Sequence, residues 1–262
     1  MSHWRLLITR PQPAAQQWQQ WLAGQGYVAD VISVMAIEPV SVEQQLQAIK
    51  SVILDFDQYQ KALFVSRNAA YYASQWLDDY WPQWPVGVDC FAVGRATAEA
   101  LAEADIPVRA LGDDNSAMNS ENLLAEPDLQ DVAGEKIVIF RGCGGRELIS
   151  RTLEERGAAV HHCELYHRVL VDVSEAPLQR WLEVAGPADL VTVHSGESLA
   201  NLCELAERGG KGARLLDLTL LVPGERVAAQ AREFGFTKVL QARNAGNKAM
   251  LEQLQAYRQK LA

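Results

Sequence analysis

Lys136-Ile137-Val138-Ile139-Phe140-Arg141-Gly142-Cys143-Gly144-Gly145-Arg146-Glu147-Leu148 is the stretch that decides the fold. Its apolar run is continuous rather than alternating, which suits a strand covered on both faces, as in a parallel sheet. Glycines follow, which permit positive φ and close approach of a ligand to the backbone. From Glu147 onward the pattern is helical. Such a turn leaves backbone N–H groups at a helix N-terminus, here bracketed by Arg141 and Arg146, and both features favour a bound anion. No Gly-Lys-Ser/Thr follows and the GxGxxG spacing is missing, so this is neither a P-loop nor a dinucleotide fingerprint. The plain alternative is a tight turn that needs glycine only for its geometry.

The same strand–turn–helix unit recurs along the chain. Further turns are Thr9-Arg10-Pro11, Ser66-Arg67-Asn68, Gly94-Arg95-Ala96-Thr97, His194-Ser195-Gly196-Glu197-Ser198 and Pro223-Gly224-Glu225-Arg226. Strands are expected at 4–9, 27–32, 62–65, 90–93, 108–110, 136–140, 159–163, 189–193, 218–222 and 238–241. Helices are expected at 14–24, 41–56, 69–77, 96–104, 120–124, 147–156, 196–206, 226–234 and 248–261. Alternation of this kind indicates an α/β protein with doubly wound parallel sheets of the flavodoxin-like type. Ten strands are many for one open sheet, and two sheets are easier to build. The segments 37–40 and 166–171 are read as interdomain linkers that pair as a two-stranded β-ladder. Domain 1 is then discontinuous, residues 1–36 plus 172–262, with domain 2, residues 41–165, inserted. The alternative is two sequential domains that meet near residue 125. In either sheet a ligand is expected outside the carboxyl ends of the strands, where all these turns lie. Two facing domains would direct them into one cleft.

Bulk properties narrow the function. The chain has 262 residues, 48% hydrophobic and 22% charged, which are the proportions of a soluble globular protein. A formal net charge of −9 argues against nucleic acid, which demands a basic face. It does not exclude an anionic ligand, because exposed charges beyond about 8–10 Å are largely screened at physiological salt. Cys90, Cys143, Cys163 and Cys203 are scattered without a CxxC pair, and the five histidines show no metal spacing, so no metal is expected. No apolar run approaches a membrane span and the first strand starts almost at once, so no membrane association and a cytoplasmic location are expected.

Ser66, Thr97, Ser195 and Ser198 read either as helix N-caps or as hydroxyl contacts to a ligand. Arg10 is the best placed guanidinium, because Pro11 pre-sets a first helical turn. Arg67, Arg95 and Arg226 read equally well as solvated charge. Cys143 stands at a helix N-terminus, where thiol pKa values fall, but no organised base is visible in the sequence. His161 and His162 read as structural, and the tryptophans at 76, 81 and 84 as local packing. Tyr166 lies in an expected linker with no evident sheet face to cover. It packs the hinge, or it presents a phenolic donor to a ligand.

At this point the chain resembles the uroporphyrinogen-III synthase family, over nearly its full length. The resemblance is carried by Leu7-Ile8-Thr9-Arg10-Pro11, Phe64-Val65-Ser66, Ala92-Val93-Gly94-Arg95-Ala96-Thr97-Ala98, Arg141-Gly142-Cys143-Gly144-Gly145-Arg146-Glu147-Leu148, Tyr166 with its flanks, and Thr192-Val193-His194-Ser195-Gly196-Glu197. The Arg-Gly-x-Gly-Gly-Arg-Glu-Leu form looks proteobacterial. The resemblance implies a two-domain α/β fold and a lyase-type, cofactor-free cyclisation in haem and tetrapyrrole biosynthesis. The linear tetrapyrrole hydroxymethylbilane loses water and closes to uroporphyrinogen III with ring D inverted, through azafulvenium and spiro intermediates. Its eight carboxylates account for so many anion-binding turns. The resemblance assigns Tyr166 to assisting departure of the hydroxyl. It assigns Arg10, Ser66, Thr97, Arg141, Gly142, Gly144, Gly145, Arg146, Ser195, Gly196 and Gly224 to substrate binding, largely through backbone amides. Pro223-Gly224-Glu225-Arg226 departs from relatives that carry a Ser or Thr there. A monomer is expected, with transient contact to the hydroxymethylbilane synthase that supplies the substrate. The rival readings are a non-enzymatic, two-lobed binder of small anions and a sugar-nucleotide transferase, which would carry a catalytic acid or base beside a nucleotide site.

Overall fold

The computed structural model describes residues 5–109, 120–145, 147–171 and 176–261. In chain order the strands are β1 (Leu6–Ile8), β2 (Ala29–Val31), β3 (Met35–Pro39), β4 (Lys61–Phe64), β5 (Asp89–Ala92), β6 (Lys136–Gly142), β7 (Ala159–Leu170), β8 (Leu190–Thr192), β9 (Thr219–Pro223) and β10 (Val239–Ala242). The helices are α1 (Ala14–Gly24), α2 (Glu43–Leu54), α3 (Arg67–Tyr80), α4 (Arg95–Glu103), α5 (Ser120–Leu124), α6 (Leu148–Glu155), α7 (Ala176–Val184), α8 (Gly196–Arg208), α9 (Gly212–Leu216), α10 (Gly224–Glu233) and α11 (Asn247–Leu261). The chain forms two compact units, Met1–Ala36 with Val169–Ala262, and Ile37–Arg168. None of the helices is long and apolar enough to cross a membrane, among the described residues.

The first unit holds a parallel five-stranded sheet in the order β10-β9-β8-β1-β2. Strands β1 and β8 are wholly buried, because helices cover both faces. Leu6 and Ile8 pack with Trp18 and Leu22 of α1 and Met250 and Leu254 of α11. Leu7, between them, turns to the other face, among residues of α7, α8 and α10. The chain order reverses between β1 and β8, and this seam joins segments about 180 residues apart. Asp189 accepts hydrogen bonds there from the Arg5 backbone N–H (2.7 Å) and guanidinium (2.9 Å) and from the Gly186 N–H (2.9 Å). At the other end of the seam Thr9 Oγ1 donates to the Thr192 carbonyl at 2.8 Å, and Thr192 Oγ1 to the Leu7 carbonyl at 3.0 Å.

The second unit holds a five-stranded sheet in the order β3-β7-β6-β4-β5, with β5, β4, β6 and β7 parallel. One face packs Phe64, Phe140 and Cys163 on α2, α3 and α4. The other packs Leu63, Phe91 and Ile139 on α5 and α6. Here the order reverses between β4 and β6, which makes their carboxyl ends the expected ligand position.

Four expectations are corrected. Val108 and Arg109 form no strand; the Arg109 N–H donates to the Cys90 carbonyl of β5 at 3.1 Å and its guanidinium to Asp89 Oδ2 at 3.3 Å, without a continuing ladder among the described residues. Ala110 lies outside the described residues. The fifth strand of this sheet is instead β3, most of which falls in the expected linker; it pairs with β7, as expected of the two linker segments, and the Val40 N–H continues that pairing to the Leu165 carbonyl at 3.0 Å. Residues 166–170 are no separate linker strand, because β7 runs unbroken through twelve residues. Pro11 does not open α1, which starts at Ala14 after Pro13.

Candidate functional site

Tyr166 sits at the seam of the second unit. Along β6 and β7 the register pairs Phe140 with Cys163 and Arg141 with Glu164, then jumps so that Gly142 faces Tyr166. Leu165 is thereby left without a partner on β6. An extra residue of this kind bends a strand and re-aims the side chain beside it. Leu165 and Tyr166, adjacent in sequence, consequently enter the same core. Tyr166 is only 2% exposed. Its ring stacks on Tyr72, with centroids 5.7 Å apart, and its hydroxyl lies 2.9 Å from Ser66 Oγ. Ser66 caps α3 by accepting the Ala69 N–H at 3.0 Å. One serine thus fixes both the helix start and the phenol.

A cavity of about 180 Å³ opens here, at the carboxyl ends of β4 and β6. Ser66, Gly142, Gly144, Gly145, Arg141 and Tyr166 line it together, over an apolar floor that includes Val65, Ile139 and Ile149. Gly144 and Gly145 have φ of +67° and +105°, so the turn needs glycine for its backbone as well as for room. Arg141 does not project toward solvent. It is 5% exposed and donates to the carbonyl of Gly144 and, at 3.3 Å, to Glu147 Oε1. A buried guanidinium must be paired, and this one is paired with its own loop, which it staples shut. Glu147 is in turn held by Ser150 Oγ at 3.0 Å, and that bond and Arg141 keep its carboxyl below the usual range. The Gly144 N–H donates to Glu164 Oε1 at 3.1 Å. Arg146 lies outside the described residues.

Cys143 Sγ is 3.7 Å from His167 Nε2. Burial, then the Glu164 carboxylate, push its thiol up, against smaller lowering from its own backbone, Arg141 and Arg168. The helix-terminus argument for a low thiol pKa therefore fails at this site. Thr97 is buried within the first turn of α4, and its hydroxyl donates to the Val93 carbonyl at 2.9 Å. It does not line the cavity.

In the first unit the named residues follow the carboxyl ends of β1, β8 and β9. Arg10 Nη1 donates to Asn247 Oδ1 at 2.7 Å. Ser195 caps α8 by accepting the Ser198 N–H at 3.0 Å, with Ser198 Oγ at 2.9 Å. A Cβ at Gly196 would lie 2.3 Å from Gln230 Oε1, the end of a flexible side chain that would have to shift, and whose amide donates to the Gly196 carbonyl at 3.1 Å. Gly224 opens α10 at φ +64° with nothing near a hypothetical Cβ, so backbone conformation is its reason. His194 touches Trp18 edge-on at 4.7 Å. Its residue is partly exposed, but both ring nitrogens are buried without a partner. Burial, then the neighbouring Arg10 charge, hold its pKa well below the ordinary histidine value.

Sequence reasoning missed Arg168, Ser120 and Ser150 in the cavity wall. For Arg168 the signal existed. It stands two residues beyond Tyr166 on one strand, and the period of two puts both on the same side. Ser120 and Ser150 lie on short helices and carried no such signal.

The chain matches the family model described as uroporphyrinogen-III synthase HemD over residues 16–252. It is 36% identical over 251 residues to the uroporphyrinogen-III synthase of Escherichia coli (strain K12), covering 95% of this chain and 99% of that one. It is 37% identical over 252 residues to that of Salmonella typhimurium (strain LT2), with the same coverage. In structure it is similar to a mutant uroporphyrinogen III synthase of the extremely thermophilic bacterium Thermus thermophilus, with a TM-score of 0.65, 20% identity and coverage of 98% and 99%. The Helicobacter pylori 26695 uroporphyrinogen-III synthetase gives a TM-score of 0.63 at 15% identity, covering 97% and 99%. At such identities these two likenesses speak for the fold.

Proposed function

The chain belongs to the uroporphyrinogen-III synthase family, and we propose that its cavity-lining residues steer the ring closure of hydroxymethylbilane to uroporphyrinogen III. The binder reading loses its ground, because full-length relatives at this identity are named as synthases. The sugar-nucleotide transferase reading loses it for the same reason.

The observation that carries the residue-level reading is the Tyr166 hydroxyl, fixed on Ser66 in the wall of a cavity rimmed by the Arg141–Gly145 turn. Tyr166 donates its proton or a hydrogen bond to the departing hydroxyl of the substrate. The pyrrole nitrogen stabilises the cation that remains, so little further acid–base machinery is called for. Ring D then attacks through its substituted carbon, and the spiro intermediate fragments and recloses inverted. The linear substrate closes unaided to the uninverted isomer, so the enzyme's task is to bias geometry. A hundredfold preference corresponds to about 2.7 kcal/mol. Two or three charge-assisted hydrogen bonds, at about 1.5–3 kcal/mol each, cover that when they form differentially in the transition state. The glycine turn lets a carboxylate approach the backbone closely, and Arg168 supplies charge in the cavity wall.

The deciding experiment is isomer analysis of the product from freshly generated hydroxymethylbilane. Type III uroporphyrinogen is expected. Type I alone, at the spontaneous rate, overturns the proposal.

A further inference from the structure

We propose that Gly142 is a positioning residue for Tyr166: the Cβ it lacks is the space in which the phenol ring lies. The proposal rests on the reading of Tyr166 given above. Its basis is local geometry. A Cβ built on Gly142 falls 2.6 Å from Tyr166 Cε2, 2.7 Å from Cζ and 3.1 Å from Cδ2. Ordinary contact begins at 3.4 Å. Gly142 is not among the residues with positive φ, so its backbone does not call for glycine, and the three atoms nearest a Cβ there all belong to the ring. In this it differs from Gly144 and Gly145, whose φ values require glycine whatever the space.

The ring is restrained at its backbone and on one face. Its backbone is held to the turn after β6 by the Cys143 N–H, which donates to the Tyr166 carbonyl at 2.7 Å. Tyr72 stacks on it, and the Tyr72 hydroxyl is itself tied to the Ile37 carbonyl at 3.3 Å. The register jump between Arg141 and Gly142 is what brings Gly142 and Tyr166 face to face. A shift of the ring that restores ordinary contact moves the hydroxyl relative to Ser66, now at 2.9 Å, and so disturbs a bond whose geometry tolerates little change. The bulge and the glycine act together: one aims the ring, the other makes room for it.

The test uses Gly142→Ala, Tyr166→Phe and the two combined, in the full chain. Gly142→Ala is expected to lower kcat by most of the factor lost in Tyr166→Phe, with KM within about twofold of wild type. Added to Tyr166→Phe, it is expected to lower kcat by less than about twofold more, because it acts through the same hydroxyl. Wild-type kcat in Gly142→Ala, or full multiplication of the two losses, overturns the proposal. A stability arm covers the case in which Gly142→Ala folds poorly. Tyr166→Ala removes the ring, so Gly142→Ala in that background is expected to leave Tm unchanged. A further large loss of Tm there shows that something other than the ring demands glycine, and overturns it too. If Tyr166→Phe keeps wild-type turnover, the reading of Tyr166 fails instead, while the Tm comparison still reports on Gly142.

Discussion

Tyr166→Phe separates chemistry from packing. The substitution keeps the ring, its stacking on Tyr72 and its fit over Gly142, and it deletes one hydroxyl, 2.9 Å from Ser66 Oγ. Ser66 Oγ retains the Ala69 N–H as a partner, so no buried group is orphaned and no cavity forms. The stability cost is that of one neutral hydrogen bond, about 1 kcal/mol, which lowers Tm by roughly 2–4 °C in a chain of this size. The same hydroxyl, acting as a positioned donor to the leaving oxygen, is worth much more. Loss of one such donor costs about 2.7–4 kcal/mol of barrier, or on the order of a hundred- to a thousandfold in kcat. The slowed enzyme must then compete with spontaneous closure, so the type I share of product rises as enzyme concentration falls. The assay is single-turnover consumption of fresh hydroxymethylbilane with chromatographic separation of the two isomers, beside a thermal melt. Turnover within twofold of wild type, in a variant whose Tm has fallen by the expected few degrees, refutes the role and leaves Tyr166 as packing.

Other outcomes follow from the same contacts. Asp189→Ala removes three hydrogen bonds at the β1–β8 seam and is expected to cost about 2–4 kcal/mol in denaturant melts. Asp189 titrates with the same seam: burial raises its carboxyl, but the Arg5 and Gly186 bonds outweigh that and leave it lowered. His194, held below its ordinary value, favours the neutral ring in the folded state. Its contribution is fully present above pH about 6.5 and shrinks as pH falls below that, by up to about 1.4 kcal/mol per unit. His194→Gln is expected to flatten the stability profile between about pH 6.5 and 5, and an unchanged slope refutes this. Arg141→Ala unpins the Gly144 carbonyl and Glu147, so it is expected to lower Tm and raise KM together. Arg168→Gln, at an exposed position, is expected to raise KM and weaken its salt dependence with stability within about 0.5 kcal/mol of wild type.

The alternation of apolar runs and helical stretches was legible because parallel sheets buried on both faces write it plainly. All five strands of the first sheet are where that pattern puts them. The errors fall where local signals compete. Val108 and Arg109 have strand composition and no strand, while β3 carries a Glu and a Pro and is a strand all the same. An edge strand tolerates both, so composition alone could not choose between them. Two short helices, α7 and α9, were not expected. In α7, Leu178, Trp181 and Leu182 do carry helical spacing, but over too few residues to stand out. Tyr166 stands in β7 rather than in a linker for a different reason. A register jump is a property of two strands, and no single segment encodes it.

The site itself was legible by position and not by role. A turn of glycine flanked by arginine invites the reading that the arginine meets the ligand; Arg141 lines the cavity but is already bonded to Gly144 and Glu147. Its guanidinium is buried, and leaving such a charge unpaired costs several kcal/mol, so its own loop must complete it. The return on that pairing is preorganisation: a glycine turn free to flex would lose entropy with every carboxylate it bound, and one stapled by Arg141 and Glu147 does not. Thr97 likewise commits its hydroxyl within the fold, to the Val93 carbonyl. At the β4–β6 seam Ser66, Arg141, Tyr166 and Arg168, beside Ser120 and Ser150, are the polar side chains that line the cavity. A reaction whose substrate supplies its own cation stabilisation and closes unaided asks for little more than that, provided the wall around it does not move.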